Sequence, residues 1–378
     1  MTSAGRSVGY VLIGAGRAGA FHISAISRMP GCSLRYLVDV DADRAASRTN
    51  EYNQEQGGEC VALAATEVGR CLSDPKVDAV IVASVTYSHY DYIKAALSAG
   101  KAVYTEKPIS HNSTEIAEIV DMAERLGLVF MVGYQRRIDK NFLELHRQCS
   151  IGALGPLRMI KCCSRDNPLP PLEYLRVSGG IFYDMLTHDI DMMHWLSGGQ
   201  IPVEVHSVGH CYNRDIAAMH DLDTVAVTFK YASGLIAIAD VSRVAEYGYD
   251  QRVEVLGELG MATAHNVLEN TVVVSTLVGH VAPRAQWSFP QRYEHAYPAN
   301  LARFNLLVRS GQPEASTIVR RHIALERVTA AAELSWRLGR VVRISEVESL
   351  REHLQHHTTE HAAGHLAATV SKLPVAKL

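Results

Sequence analysis

Val8-Gly-Tyr-Val-Leu-Ile13, followed by Gly14-Ala15-Gly16-Arg17-Ala18-Gly19, is the stretch that decides the fold. The apolar run reads as a buried strand and the six residues after it form a G-x-G-x-x-G turn. Twenty residues past Gly19, a second apolar run (Leu34–Val38) ends in Asp39. A glycine motif that follows a strand, opens a helix and stands in register with a later carboxylate is a dinucleotide-binding fingerprint. Each part has a role: Gly14 permits the tight turn, Gly16 lets backbone amides approach a pyrophosphate, and Gly19 lets helix and strand pack closely. The unpaired N–H groups at the helix start and their partial positive charge then suit phosphates.

Working outward, the first 134 residues alternate apolar runs with helical stretches. Strands are predicted at Val8–Ile13, Leu34–Val38, Ala79–Ala83, Ala102–Tyr104 and Val129–Val132. Helices are predicted near Ala18–Arg28, Asp41–Glu55, Tyr90–Ser98 and Thr114–Leu126. Such alternation predicts an α/β fold: a Rossmann-type parallel sheet covered on both faces, with ligands beyond the carboxyl ends of its strands. The glycine turn, Asp39, Ser84–Thr86 and Glu106-Lys107-Pro108 all fall there. The predicted cofactor-binding residues are Gly14, Gly16, Arg17, Gly19, Asp39, Ser84, Thr86, His89, Glu106 and Lys107.

Beyond about residue 156 the pattern shifts to two-residue alternation, at Thr224–Tyr231, Leu235–Val241, Arg252–Leu256 and Thr271–Leu277. Tyr231-Ala-Ser-Gly234 reads as a hairpin turn between two of these strands. A helix at Ile181–Leu196 precedes them and others follow at Asn300–Arg309 and His322–Leu338. The second half is therefore expected to be an α+β domain with a large, mainly antiparallel open sheet. Three segments result: 1–134 for the dinucleotide, 135–345 for substrate and oligomer contacts, and a polar, His-rich tail at 346–378.

Composition limits the function. A 378-residue chain suits two domains, and 47% hydrophobic with 20% charged residues is the balance of a globular protein. A net charge of −3 without a basic block gives no reason to expect a nucleic-acid partner. No apolar stretch approaches the roughly 20 residues needed to cross a bilayer, so no membrane partner is expected. Met1–Ser7 carries no signal-peptide core. Seven scattered cysteines without a C-x-x-C spacing point to a reducing compartment and to small apolar core fillers, not to a disulfide framework or a zinc ribbon.

Two short motifs carry chemistry. Lys107, at a strand end facing a dinucleotide, can donate to a substrate hydroxyl or carbonyl through a compact ammonium. Pro108 holds it extended, across a bond that is a candidate for the cis form. The plainer alternative is a surface lysine. In Gly179-Gly180-Ile-Phe-Tyr-Asp184-Met-Leu-Thr-His188, the carboxylate and imidazole are four apart and share one helical face. A histidine oriented by a carboxylate is a candidate general base near neutral pH. The alternative is an exposed helical pair.

Taken together, Gly14–Gly19, Glu106-Lys107-Pro108 and the Gly180/Asp184–His188 run resemble the Gfo/Idh/MocA oxidoreductases, over residues 8 to about 345. Val132-Gly-Tyr-Gln-Arg-Arg137, Ser164-Arg-Asp-Asn-Pro168 and Tyr247-Gly-Tyr-Asp-Gln-Arg-Val-Glu-Val255 are similar to the inositol 2-dehydrogenase branch. The resemblance implies that Lys107, Asp184 and His188 carry the reaction, and that the second domain's sheet forms a homodimer or homotetramer. It also implies NAD-dependent oxidation of a cyclitol ring alcohol, with His188 accepting the proton, Asp184 orienting it and Lys107 donating to the developing alkoxide. Arg137, Asp166, Asn167 and Tyr249 are the expected substrate-binding residues. Many members of that branch have arginine where this chain has Tyr183, which bears on substrate identity more than on reaction type.

Asp39 favours NAD, because a carboxylate there accepts from the ribose 2′-OH and repels a 2′-phosphate. Arg17 pulls towards NADP, the secondary cofactor expectation. A sugar dehydrogenase or keto-sugar reductase, and a non-catalytic dinucleotide sensor, are the competing functions. His353, His357, His361 and His365 would line one helical stripe, but with no carboxylate or thiolate partner we expect no metal. Ala376-Lys377-Leu378 is one residue from a peroxisomal address. The expected location is the cytoplasm, with the peroxisome as the alternative in a eukaryotic cell.

Overall fold

The computed structural model describes residues 7–353; the His357–His365 part of the histidine stripe and Ala376-Lys377-Leu378 lie outside the described residues. Six parallel strands form the first sheet: β1 (Val8–Ile13), β2 (Cys32–Asp39), β3 (Val61–Ala64), β4 (Ala79–Val82), β5 (Ala102–Glu106) and β6 (Phe130–Gly133). Their order is β3-β2-β1-β4-β5-β6. Every residue of β1 and β4 is buried, as expected of strands covered on both faces. The order reverses between β1 and β4, which opens a crevice beyond their carboxyl ends. Helix starts and stops follow local chemistry. Asp41 caps Ala42–Gln56 by accepting from the Arg44 amide, and left-handed Gly57 ends it.

The second sheet contains β7 (Leu157–Arg165), β8 (Pro202–His210), β9 (Thr224–Tyr231), β10 (Ile236–Ser242), β11 (Asp250–Gly257), β12 (Met261–Ala264) and, after the β13–β14 hairpin described below, β15 (Val342–Arg343). Its order is β12-β11-β7-β10-β9-β8-β15, and only the β7–β10 pair is parallel. Alternation places Val225, Val227, Phe229 and Tyr231 on the inner face and leaves Ala226, Thr228 and Lys230 outward. Phe229 sits in the core shared with Val205 and Leu325, so truncating it to alanine costs about 3–5 kcal/mol.

Two helices then return to the first sheet. Leu301 and Phe304, on helix Ala296–Ser310, join the core formed by Tyr10, Leu12 and Tyr104. Tyr10 Oη donates to Asn305 Oδ1 at 2.9 Å, and Phe21 stacks on Tyr297 at 5.1 Å. Helix Ser316–Leu338 straddles both halves: Val319 packs with Ile116 and Ile119, while Leu325 and Val328 cover the second sheet.

Six strands fall outside those predicted: β3, β7, β8, and the short β12, β14 (Gly279–Val281) and β15. β3 is a short edge strand with one buried side chain, too little periodicity to stand out. In β7 and β8 the inward positions include Cys162, Ser164 and Ser207, while Lys161 and Glu204 face outward, so the alternation is not one of obvious apolar residues. The predicted strand at Thr271–Leu277 shrinks to β13 (Val274–Thr276), paired only with β14 (Gly279–Val281) in an isolated hairpin. Its apolar side chains, including Val274, Leu277, Val278 and Val281, are exposed because no other strand lies alongside. Cys60, Cys71 and Cys162 are buried fillers; the other four cysteines are half-buried, and all seven are free thiols.

Candidate active site

A cleft of about 590 Å³ lies beyond the carboxyl ends of β1, β2, β4 and β5 and is closed by the second half of the chain. That volume suits a small-molecule site.

Its nucleotide end is built by the glycine turn. Gly14 has φ +103°, and a Cβ there would lie 2.5 Å from the Ala83 carbonyl oxygen. A Cβ on Gly19 would come within 2.1 Å of Gly14 O, which accounts for the close helix–strand contact. Gly16 caps helix Arg17–Ser27 without a side chain, and Gly16, Arg17 and Ala18 line the cleft, which puts the helix N-terminus at its wall. Asp39 Oδ2 accepts from the Ala15 amide at 2.6 Å and Oδ1 from the Asp41 amide at 2.9 Å. Arg44 Nη2 adds a 2.6 Å bond to Oδ1. Burial works to raise this carboxyl, but the bonds from Arg44 and the two amides outweigh it and hold it below the ordinary range. Arg44 is an addition to the expected set; its place in the first turn of the helix after Asp39 is the signal that could have found it. Arg17 does not serve Asp39. Its guanidinium lies 4.7 Å from the Tyr174 ring centroid and 5.5 Å from that of Phe289, against the wall formed by the second half.

Ser84, Thr86 and His89 all line the cleft. Ser84 Oγ pairs with Ser88 Oγ at 2.8 Å, and Thr86 opens a short 3₁₀ turn. His89 joins two strand-end loops, with Nδ1 2.8 Å from Pro108 O and Nε2 3.0 Å from Ser84 O. Glu106 closes β5 and pairs with His22 Nε2 at 2.8 Å.

The chemical end gathers around Lys107. The Lys107–Pro108 bond is cis. Lys107 Nζ donates to the backbone oxygen of Asp184 and lies 3.4 Å from its Oδ1. Asp184 sits in a π-turn over Phe182–Leu186 that precedes helix Thr187–Leu196, so the predicted continuous α-helix is widened at this point. Its Oδ1 accepts from Tyr174 Oη at 2.7 Å and its Oδ2 from Arg243 Nη1 at 2.9 Å. Burial pushes the Asp184 carboxyl up, and the Lys107 and Arg243 charges pull it below the usual carboxylate range.

His188 also lines the cleft, but no hydrogen bond joins it to Asp184 among the described residues. The expected carboxylate–imidazole couple is thus replaced by a carboxylate held by two cations and a tyrosine. His188 Nδ1 has no partner, and the ring meets Tyr134 edge-on at 6.0 Å. Burial, then the Lys107 and Arg136 charges, lower its pKa well below that of a free imidazole. The ring is therefore neutral with Nδ1 free, and a weaker base than a free imidazole.

Of the expected substrate residues, three line the cleft. Asp166 is pushed up to about 6, first by burial and then by the neighbouring Asp184 charge. Asn167 Nδ2 donates to Trp287 O at 2.9 Å, and the Tyr249 ring packs edge-on against Tyr293 at 6.0 Å. Arg137 departs from the expectation. Its Nε and Nη2 bond Asp191 at 2.7 and 2.8 Å, and its guanidinium lies 5.3 Å from the Trp195 centroid. The cleft is lined instead by Gln135 and Arg136, the latter donating to Asp189 Oδ1 at 2.8 Å. Consecutive arginines in a 3₁₀ turn point to different sides, which adjacency in sequence does not resolve. Tyr183 faces away from the cleft, bonding Glu326 and Arg351 at 3.2 and 2.9 Å. No group of His, Cys, Asp or Glu among the described residues is arranged to hold a metal.

Comparison with known proteins bears on this site. The profile of the GFO/IDH/MocA oxidoreductase family, NAD-binding Rossmann fold, matches residues 8–134, and that of the GFO/IDH/MocA C-terminal domain matches residues 142–263. The chain is 34% identical to myo-inositol 2-dehydrogenase of Thermotoga maritima, over 89% of this chain and 98% of that protein. It is 33% identical to inositol 2-dehydrogenase of Rhizobium meliloti, over 81% of this chain and 90% of that protein. Among solved structures it resembles a myo-inositol dehydrogenase from Corynebacterium glutamicum, with a TM-score of 0.79 and 30% identity, covering 89% of this chain and 98% of that one.

Proposed function

The chain belongs to the Gfo/Idh/MocA oxidoreductase family, and from that premise we propose that it oxidises a ring secondary alcohol of a cyclitol, myo-inositol or a stereoisomer, to the ketone, with NAD taking up the hydride. The observation that carries this reading is the bond across the cleft between Lys107 of the nucleotide-binding half and Asp184 of the other half. The glycine turn and Asp39 would hold the dinucleotide, and the helix N-terminus at the cleft wall fits its phosphates.

In this reading His188, neutral at physiological pH, accepts the substrate hydroxyl proton. Lys107 donates to the oxygen as its charge develops. Asp184 keeps the ammonium aimed into the cleft and does not touch the imidazole. Asp166, Asn167 and Tyr249 offer acceptors and donors for the remaining hydroxyls. Residues 1–134 would serve the dinucleotide and 135–345 the substrate.

The test is a panel of inositols, aldoses and keto-sugars with NAD, read as NADH formation or consumption. Turnover of an inositol is expected. Turnover of aldoses or keto-sugars alone would transfer the reading to a sugar dehydrogenase or reductase. Cofactor binding without any turnover would leave a dinucleotide sensor.

We propose further that a second copy covers the outer face of the seven-stranded sheet, supported by the apolar side chains exposed there, Val208, Ile236, Leu256 and Met261. Light scattering of the purified protein should give a dimer or tetramer mass; a monomer mass would overturn this. Seven free thiols suit a reducing compartment such as the cytoplasm.

A further inference from the structure

Behind Asp184 lies a charge that the reaction scheme above does not use. Arg243 directly follows β10 and is completely buried. Its guanidinium divides between two carboxylates: Nη1 donates to Asp184 Oδ2 at 2.9 Å and Nη2 to Asp221 Oδ2 at 3.1 Å. Asp221 is itself anchored, since its Oδ1 accepts from the Ile181 amide at 3.0 Å. The adjoining Gly180 is left-handed (φ +82°), and a Cβ there would sit 3.1 Å from Asp221 Oδ1. Gly180 thus leaves room for Asp221 to sit under the arginine, while Gly179 makes room for the His111 ring.

We propose that Arg243 is a positioning residue that acts through Asp184: braced by Asp221, it fixes the Asp184 carboxylate so that Lys107 stays held across the cleft. This rests on the catalytic reading of Lys107 given above. Oδ1 of Asp184 is shared by Tyr174 and Lys107, whereas Oδ2 has Arg243 alone, so Arg243 sets the rotation of the carboxylate. A buried ion pair broken on one side leaves an uncompensated charge.

The groups facing Asp184 are Lys107 after β5, His111, Asp166 after β7, Tyr174 and Arg243, and burial keeps the His111 ring neutral. Without Arg243, burial and Asp166 oppose its ionisation, and Lys107 and the Tyr174 hydroxyl are left to favour it. The pH at which Asp184 takes up a proton then rises.

The experiment compares wild type with Arg243→Met, Arg243→Lys and Asp221→Asn. Arg243→Met should lower kcat roughly 10–100-fold, the size expected for a lost charged hydrogen bond. The acid limb of its kcat/KM profile should move to higher pH, with KM for NAD unchanged. Arg243→Lys should recover part of both, and Asp221→Asn should show a weaker effect of the same sign. A folded Arg243→Met with wild-type kcat and profile would overturn the proposal. If that variant does not fold, a wild-type profile in Asp221→Asn would do so.

A second readout does not need turnover. The Tm gap between Arg243→Met and wild type should narrow from about pH 8 to about pH 5, as the unpaired buried carboxylate is neutralised. A constant gap counts against the clamp. Wild type inert on every polyol would sink the functional reading while leaving this melting test intact.

Discussion

Lys107 and Asp184 stand 77 residues apart in sequence, yet the ammonium of the first donates to the backbone oxygen of the second and lies 3.4 Å from its carboxylate. The contact joins the end of β5 to the π-turn of the opposite half, across the mouth of the cleft. An ammonium held this way is poised for a developing negative charge, and such electrostatic stabilisation often exceeds the contribution of proton transfer. Lys107→Ala is therefore expected to lower kcat at least as much as His188→Ala, each by about 10²–10⁴. Steady-state rates on the preferred inositol decide; near-wild-type turnover in both variants would remove these residues from the reaction.

Asp39 is engaged by Arg44 as well as by the Ala15 and Asp41 amides. The carboxylate disfavours a 2′-phosphate, so kcat/KM should be larger with NAD than with NADP. In Asp39→Ala the repulsion disappears and Arg44 becomes available to pair with a phosphate. The NAD-to-NADP ratio of kcat/KM should fall about tenfold or more, the size of one new hydrogen bond to a charged group. An unchanged ratio would mean that another residue sets the preference.

Among the described residues, five enclosed imidazoles are depressed by burial: His111 and His194 to about 4, His89 below the free value, and His188 and His322 well below it. Each folded-state pKa is depressed, so the associated stability is full above the unfolded value near pH 6.5 and is lost as pH falls towards 4. At pH 5 the loss is about 2 kcal/mol each for His111 and His194. Asp166, raised to about 6, and Asp189, Glu314 and Glu326, also raised by burial, work in the opposite sense and offset part of this loss. Tm should therefore fall steadily from about pH 7 to about pH 5; a flat Tm there would contradict the assignment.

Arg137 and Asp166, both expected from the sequence to bind substrate, should separate cleanly. Arg137→Met breaks a buried pair with Asp191 and should cost about 3–5 kcal/mol in denaturant unfolding while leaving substrate KM unchanged. Asp166→Asn, in the cleft wall, should raise substrate KM with little loss of stability. If Arg137→Met raised KM without destabilising the protein, the geometry at this turn would need revision.

Much of this was legible in the sequence, because local rules govern it. The glycine turn, Asp39 and the strand-end Lys107 follow from backbone sterics and the period of the parallel strands. What was not legible depends on tertiary direction. Whether Arg136 or Arg137 faces the cleft is set by the packing of Asp189 and Asp191, buried on the same helix. That Asp184 turns to Arg243 and not to His188 requires an arginine 59 residues away, which no helical spacing encodes. The hairpin at Val274–Val281 carries a strand-like apolar pattern, yet among the described residues no further strand pairs with it and its side chains stay exposed.

The return of helix Ala296–Ser310 to the first sheet has one more implication. Leu301 and Phe304 fill a wall whose strands precede them by roughly 170 to 290 residues, and neither touches solvent. A ribosome that has released only the amino-terminal third has therefore made a nucleotide cradle with a wet seam. The seam closes when the carboxyl-terminal helices emerge, so the chain finishes folding as a clasp snapped shut from its far end, and truncations just before residue 296 should aggregate and not persist as a free dinucleotide carrier.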